Sequence, residues 1–338
     1  MKKAALIEFY RYHHECLYSQ ILFLENSGYE VVLFCDEKVK PVIDGFNLNI
    51  EILFFDFKKL SSLFRLRKIL IRRKFDNVIL NTAQGNIALK FCLLPFPKNM
   101  HFAGNIHNLK KLGRSRGQAF ISRKIKNYYV LDEYILPATK SYPQFNFAAY
   151  YPAFFPSFNL IEFTDKNKDV WICIPGSIEY RRRDYDSLID IASNCDDDVK
   201  FILLGNASRG DGTDFIEKIK AADVADKFVY FEKFVNNRSF YSYIHASDYL
   251  LPLIHPNTPS VEDYKQFKIS GIFPLAKAFR KTMLLHDLFK DVSDFNYSCK
   301  YYNSNLELLN ALSSEPLDKE TQPADFNSNR KKYLSLLK

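Results

Sequence analysis

The chain is poor in the residues that usually announce a function. It has one Trp, three Met and only 11 Gly in 338 residues. No GxGxxG follows any apolar run, which removes the fingerprint of dinucleotide-dependent dehydrogenases. The six cysteines (Cys16, Cys35, Cys92, Cys173, Cys195 and Cys299) form no CxxC and no regular spacing. That excludes a disulfide framework or a zinc site, and most lie in apolar runs where free Cys acts as a small core residue. No run approaches the roughly 18 apolar residues of a membrane span. The apolar patch after Met1-Lys2-Lys3 is too short for a signal peptide, so the protein is expected to be cytoplasmic, and a periplasmic binding protein is disfavoured.

What is present is an ordinary folded composition, 47% hydrophobic and 25% charged. The length suits two α/β domains better than one core. The net charge of +8 is uneven. Residues 1–150 carry 23 Lys and Arg against 12 Asp and Glu, a balance of +11, while the rest carry 24 against 27. A basic half suits nucleic acid, an anionic membrane or a phosphorylated substrate.

Short apolar runs alternate with helical spacing. Strands are expected at 4–9, 30–36, 50–56, 77–82, 100–107 and 127–132, with helices at 17–26 and 60–74. Such continuous apolar strands indicate a parallel sheet covered on both faces. Pro152, Pro156 and a polar stretch break the rhythm near 151–168. The pattern then restarts, with strands at 169–175, 199–205, 227–231, 249–253 and 282–286. Helices are expected at 185–194, 214–222, 238–246 and 272–279. This predicts two Rossmann-like doubly wound domains facing a cleft, the first at 1–155 and the second at 169–315. A linker spans 156–168, and a helical tail at 316–338 closes over both.

The second half carries, in order, Ile-Pro-Gly-Ser-Ile-Glu-Tyr-Arg-Arg-Arg-Asp-Tyr, Phe-Ile-Leu-Leu-Gly and Phe-Val-Tyr-Phe-Glu-Lys-Phe-Val. Ala-Ser-Asp-Tyr-Leu-Leu-Pro-Leu and Lys-Ile-Ser-Gly follow. That series resembles the donor domain of GT-B glycosyltransferases, nearest to the family-four-like enzymes of bacterial surface-polysaccharide synthesis. The resemblance covers residues 169–290. It implies transfer of a sugar from a nucleotide diphosphate donor to a glycan or lipid-linked acceptor, with no cofactor beyond that donor. Two departures stand out. The family's Gly-Arg pair is Gly176-Ser177 here, and its two glutamates fall at Phe267 and Leu275, so its retaining mechanism does not carry over. A nucleotide-sugar epimerase of the same fold and a non-catalytic partner subunit are the alternatives. The epimerase is expected to show a dense set of carboxylates that this sequence lacks.

The resemblance places the donor on Gly176, Ser177, Arg181, Arg182, Arg183, Gly205, Phe234, Val235, Lys268, Ser270 and Gly271. A turn without Cβ and guanidinium forks suit a diphosphate, and Ser270-Gly271 opens a helix whose free N–H groups suit an anion. A solvated basic loop and a plain serine cap are the bland readings of the same residues. His13, His14, Glu15 and His107 follow strands of the first half and offer a base for the acceptor hydroxyl. Asp196-Asp197-Asp198 lies between a helix and a strand start, away from ligand ends, and reads as a solvated turn with no metal. Arg65, Arg67, Lys68, Arg72, Arg73 and Lys74 form a basic amphipathic stretch, suited to the inner face of an anionic membrane or to a solvated crossover helix. No nucleic-acid module is present.

Overall fold

A computed structural model describes residues 1–164, 166, 168–292, 298–312, 316–317 and 325–338. The chain divides into two compact units. The first comprises Met1–Ser157, Gln266–Ile269 and Ala324–Lys338, and the second Phe158–Lys265 and Ser270–Pro323.

The first unit holds β1 (Lys3–Glu8), β2 (Glu30–Asp36), β3 (Glu51–Phe55), β4 (Asn77–Leu80), β5 (His101–Asn105), β6 (Asn127–Val130) and β7 (Asn146–Ala149). All seven pair in parallel in the order β3-β2-β1-β4-β5-β6-β7. Alternation along each strand sends Ala5, Ile7, Val32, Phe34, Val78 and Leu80 to one face. There they pack with Leu63, Leu66 and Leu70 of helix Leu60–Arg72, Phe91 of helix Asn86–Leu93 and Ile121 of helix Arg116–Lys124. Helix Phe326–Leu334 also belongs to this unit. Its Tyr333, fully buried, stacks on Tyr129 of β6 with ring centroids 4.5 Å apart.

The second unit holds β8 (Val170–Ile174), β9 (Val199–Asn206), β10 (Phe228–Phe231), β11 (Tyr249–Leu250), β12 (Thr282–His286) and β13 (Cys299–Tyr302). They too are all parallel, in the order β10-β9-β8-β11-β12-β13. Both sheets therefore reverse strand order beside their first strand, between β1 and β4 and between β8 and β11. Ligands of open α/β sheets gather at the carboxyl ends of such a switch point.

Several expectations need adjusting. The expected linker packs on the second unit: Phe158 stacks on Tyr241 at 4.2 Å, and the Ile161 N–H donates to Ser242 Oγ at 2.8 Å. The expected strand 249–253 pairs only at Tyr249–Leu250; the Leu251 N–H still donates to the Cys173 carbonyl at 3.0 Å, and Leu253 takes a φ of 53°. Residues 266–269 pack with the first unit, where the Leu109 N–H donates to the Phe267 carbonyl at 2.9 Å. The tail helix expected to close over both domains lies in the first unit, and residues 318–324 of that tail fall outside the described residues.

Candidate functional site

At the carboxyl end of β8 the chain turns through Gly176 at a φ of 107°, a conformation that favours glycine. Gly205, near the end of β9, runs so close that a Cβ there would lie 2.4 Å from the Gly176 carbonyl oxygen. Both glycines are thus needed to shape one turn.

The three consecutive arginines behave differently. Arg181 and Arg182 are 69% and 47% exposed and share the Glu179 carboxylate, Arg182 through Nε at 2.9 Å. Arg183 is buried at 9% exposure. Its Nη2 donates to the Pro175 carbonyl, and its Nη1 is buried without a hydrogen-bond partner. An unpaired guanidinium nitrogen beside a glycine turn is costly unless an anion completes it.

Asp184, next in sequence, caps helix Tyr185–Asn194 by accepting the Ser187 N–H at 3.1 Å. It also faces His255 Nδ1 at 2.8 Å, and His255 Nε2 meets the Tyr302 hydroxyl at 2.8 Å. The hydrogen bond from His255 brings the Asp184 carboxyl down to about 2. This chain ties the loops that follow β8 and β11 to the last residue of β13. Sequence reasoning missed it, because nothing in the spacing of residues 184, 255 and 302 signals contact.

Phe234 is 71% exposed and Val235 buried. Both line an open cavity of about 390 Å³ formed by residues 230–236 and Ser239, after β10. Ser270 is buried, and Gly271 precedes helix Ile272–Phe279 with no side-chain cap and open space where a Cβ would stand. Lys268 is not part of this unit; its carbonyl accepts the Tyr134 hydroxyl at 2.8 Å in the first unit.

In the first unit the switch point gathers a different set. Glu8, at the end of β1, is fully buried. It accepts from the Tyr10 N–H at 2.7 Å, Asn81 Nδ2 at 2.5 Å and Thr82 Oγ1 at 3.0 Å. Burial pushes its carboxyl up to about 8 despite these donors. Asn81 Nδ2 also donates to the His13 carbonyl at 2.8 Å, while the Asn81 carbonyl accepts His107 Nε2 at 2.8 Å. His13 sits at a φ of 62°, and its ring stacks on His107 with centroids 3.6 Å apart. Glu15 lies 3.5 Å from His13 Nδ1. Burial would raise the Glu15 carboxyl, but the bond to His13 and the charges of His13 and His14 outweigh it and bring it to about 2. Burial, then the neighbouring His13 charge, pushes His107 well below the usual imidazole range. His14 stands apart, its Nδ1 3.3 Å from the Arg11 carbonyl. Glu8 and Asn81 were hidden at the ends of apolar strands; a lone carboxylate closing such a run was the only signal.

The remaining candidates are scattered. Asp196-Asp197-Asp198 lies at the amino-terminal start of β9, opposite the ligand edge, where Asp197 pairs with Lys227 at 3.5 Å. Among the described residues no three His, Cys, Asp or Glu gather to hold a metal. Three of the six basic residues near helix Leu60–Arg72 already have partners. Arg73 forks onto Glu51 at 2.9 and 2.6 Å, Arg67 Nε donates to the Pro95 carbonyl at 2.5 Å, and Arg65 lies over Phe55 at 5.2 Å. Lys68, Arg72 and Lys74 are exposed. No helix among the described residues is long and apolar enough to cross a membrane.

Two all-parallel sheets with matching switch points define the two-domain α/β architecture of GT-B proteins, and comparison with solved structures agrees. The Anabaena protein HepE in complex with UDP-glucose has a TM-score of 0.63 at 13% identity, over 100% of this chain and 96% of that one. A glycosyltransferase from Rickettsia africae scores 0.59 at 11% identity, over 100% and 95%. A UDP-N-acetylglucosamine 2-epimerase scores 0.59 at 11% identity, over 92% and 86%. At these identities the likeness is one of fold. No protein-family model and no curated protein matches the sequence.

Proposed function

We propose that the chain transfers a sugar from a nucleoside diphosphate donor to a glycan or lipid-linked acceptor. The observation that carries this reading is Arg183: a buried guanidinium with Nη1 unpartnered, beside the Gly176 turn at a switch point. A diphosphate oxygen is a fitting partner, and the cavity at Phe234 and Val235 offers space for a base. Fixed cations would then stabilise the departing diphosphate, so transfer would survive excess chelator. In the first unit, His13 would take the proton of the acceptor hydroxyl. Its Nδ1 faces Glu15, and its Nε2 has no hydrogen-bond partner among the described residues. HepE, solved with UDP-glucose, lends support by its fold alone.

Attachment to an anionic bilayer is part of the proposal. Residues 57–131 carry 17 Lys and Arg against one acid, Asp76. Leu60 and Phe64 are each 53% exposed, Leu93 60% and Phe120 41%, all on the three helices that cover one sheet face. Apolar side chains among cations suit a lipid interface better than a polynucleotide.

Calorimetry with UDP, GDP and TDP tests the donor site. Micromolar binding of one of them supports the reading; no binding of any would point to a non-catalytic partner. The presence of an epimerase among the structural neighbours favours a second reading, and incubation with UDP-N-acetylglucosamine, with and without an acceptor, separates it. An epimerase converts UDP-N-acetylglucosamine without an added acceptor, whereas a transferase releases UDP only as sugar moves to one.

A further inference from the structure

Between helix Phe326–Leu334 and the His13 loop runs a hydrogen-bonded path with no solvent access. Tyr333 donates its hydroxyl to Gln20 Oε1 at 3.1 Å. Gln20 Nε2 donates to Asn81 Oδ1 at 2.5 Å and to the Cys16 carbonyl at 3.2 Å. Asn81 then holds the His13 carbonyl through Nδ2 and His107 through its own carbonyl, both at 2.8 Å. Glu8, Gln20, Asn81 and Tyr333 are all at 0% exposure.

The orientation of each amide is dictated. A carbonyl can only accept, so the Cys16 and His13 carbonyls require the nitrogen of Gln20 and of Asn81 to face them. Gln20 Oε1 is thereby turned to Tyr333. A non-glycine residue at positive φ persists only where its surroundings over-determine it, and the His13 carbonyl is held twice, by Asn81 Nδ2 at 2.8 Å and by the Cys16 N–H at 3.2 Å.

We infer that Tyr333 is a positioning residue: through Gln20 and Asn81 it fixes the conformation of the His13 loop and the stacking of His13 on His107. Without the hydroxyl, Gln20 Oε1 is a buried acceptor with no donor. The amide relieves this by shifting from its place, and Asn81 Oδ1 then keeps only its other donor, Asn105 Nδ2 at 3.0 Å, so Asn81 is less tightly held. The effect is local, because the Tyr333 ring keeps its contacts with Tyr129, Tyr150 and Phe23 when only the oxygen is removed.

The significance for catalysis rests on His13 being the base, but the test does not. The imidazole signals of ¹³C-histidine-labelled full-length protein are recorded for wild type, Tyr333→Phe and Gln20→Met, with His13→Gln and His107→Gln giving the assignments. The expected result is loss of the ring-current shift on both His13 and His107 in Tyr333→Phe. Signals of His255 and His286 in the second unit should not move. Gln20→Met, which removes the link while filling its volume, should give the same displacement and carries the test if Tyr333→Phe does not fold. His13 and His107 signals that coincide with wild type in either folded variant overturn the inference. A moved pair in a protein that binds no nucleoside diphosphate would instead leave the inference standing and refute the proposed function.

Discussion

Replacing Arg183 by Met should separate diphosphate affinity from stability. Met keeps an unbranched stem of similar length and removes the guanidinium. In the free protein two changes oppose each other. The Pro175 carbonyl loses a charged donor, and a buried nitrogen without a partner disappears. Each is worth about 1–3 kcal/mol, so the net should be small. A residual of about 1 kcal/mol would shift the melting midpoint by roughly 2–4 °C in units of this size. In the complex there is no such offset. A hydrogen bond to a charged group contributes about 1.5–3 kcal/mol, or roughly 10- to 150-fold in Kd. Arg182→Ala should cost much less, because its guanidinium is half exposed and paired with Glu179. Exposed pairs are worth about 0.2–1 kcal/mol, within roughly fivefold in Kd. Calorimetry with the preferred nucleoside diphosphate and its parent nucleoside measures this directly. Arg183→Met should weaken the diphosphate and leave the nucleoside alone. Equal loss of both ligands, or none for the diphosphate, would refute the argument from the unpaired nitrogen.

Gly205→Ala forces a methyl against the Gly176 carbonyl. It should lower stability by about 1–3 kcal/mol and reduce diphosphate binding with it, read by thermal melts and calorimetry. Glu8 should make the protein less stable as pH rises. Its carboxyl is raised to about 8 in the fold, so between the usual carboxylate range and pH 8 the folded state holds a proton that the unfolded state has released. Stability is full below that window and falls through it by up to about 1.4 kcal/mol per pH unit. Glu8→Gln should flatten this slope in denaturant titrations from pH 5 to 8.5; a slope identical to wild type would clear Glu8 of the effect. On vesicles containing anionic lipid, the wild type should sediment in low salt. Lys68→Gln with Arg72→Gln should weaken this in low salt and matter little in high salt, where charge is screened, and Leu60→Ser with Phe64→Ser should remove the part that survives high salt. Indifference of the wild type to such vesicles, or tighter binding to RNA, would end the membrane proposal.

The strand rhythm was legible in the sequence because parallel strands buried on both faces are written as unbroken apolar runs. Glu30–Asp36 and Thr282–His286 form strands with the expected limits. Asn146–Ala149 and Cys299–Tyr302 escaped notice, since edge strands need fewer apolar residues. The site was legible as loops but not as roles. Three adjacent arginines look alike in sequence, yet the turn at Glu179 sends only Arg183 inward. His13 and His107 are 94 positions apart, and only the neighbouring of β1, β4 and β5 brings their rings together. Glu8 was concealed by its own strand. A single carboxylate does not break an apolar pattern, and its importance comes from partners at 81 and 82 that the sequence does not join to it.

The return of helix Phe326–Leu334 to the first unit has a consequence in time. A chain made from its amino terminus produces Gln20 long before Tyr333, its partner 313 residues later. At about 5–20 residues per second, that separation is roughly 15–60 s during which the first unit lacks the helix that covers Phe23, Tyr129 and Tyr150. For that interval a sticky aromatic surface and a half-bonded glutamine stand open on the nascent chain. The first unit, although begun first, is therefore the last to be finished, and a ribosome that stalls anywhere before Tyr333 leaves it unsealed.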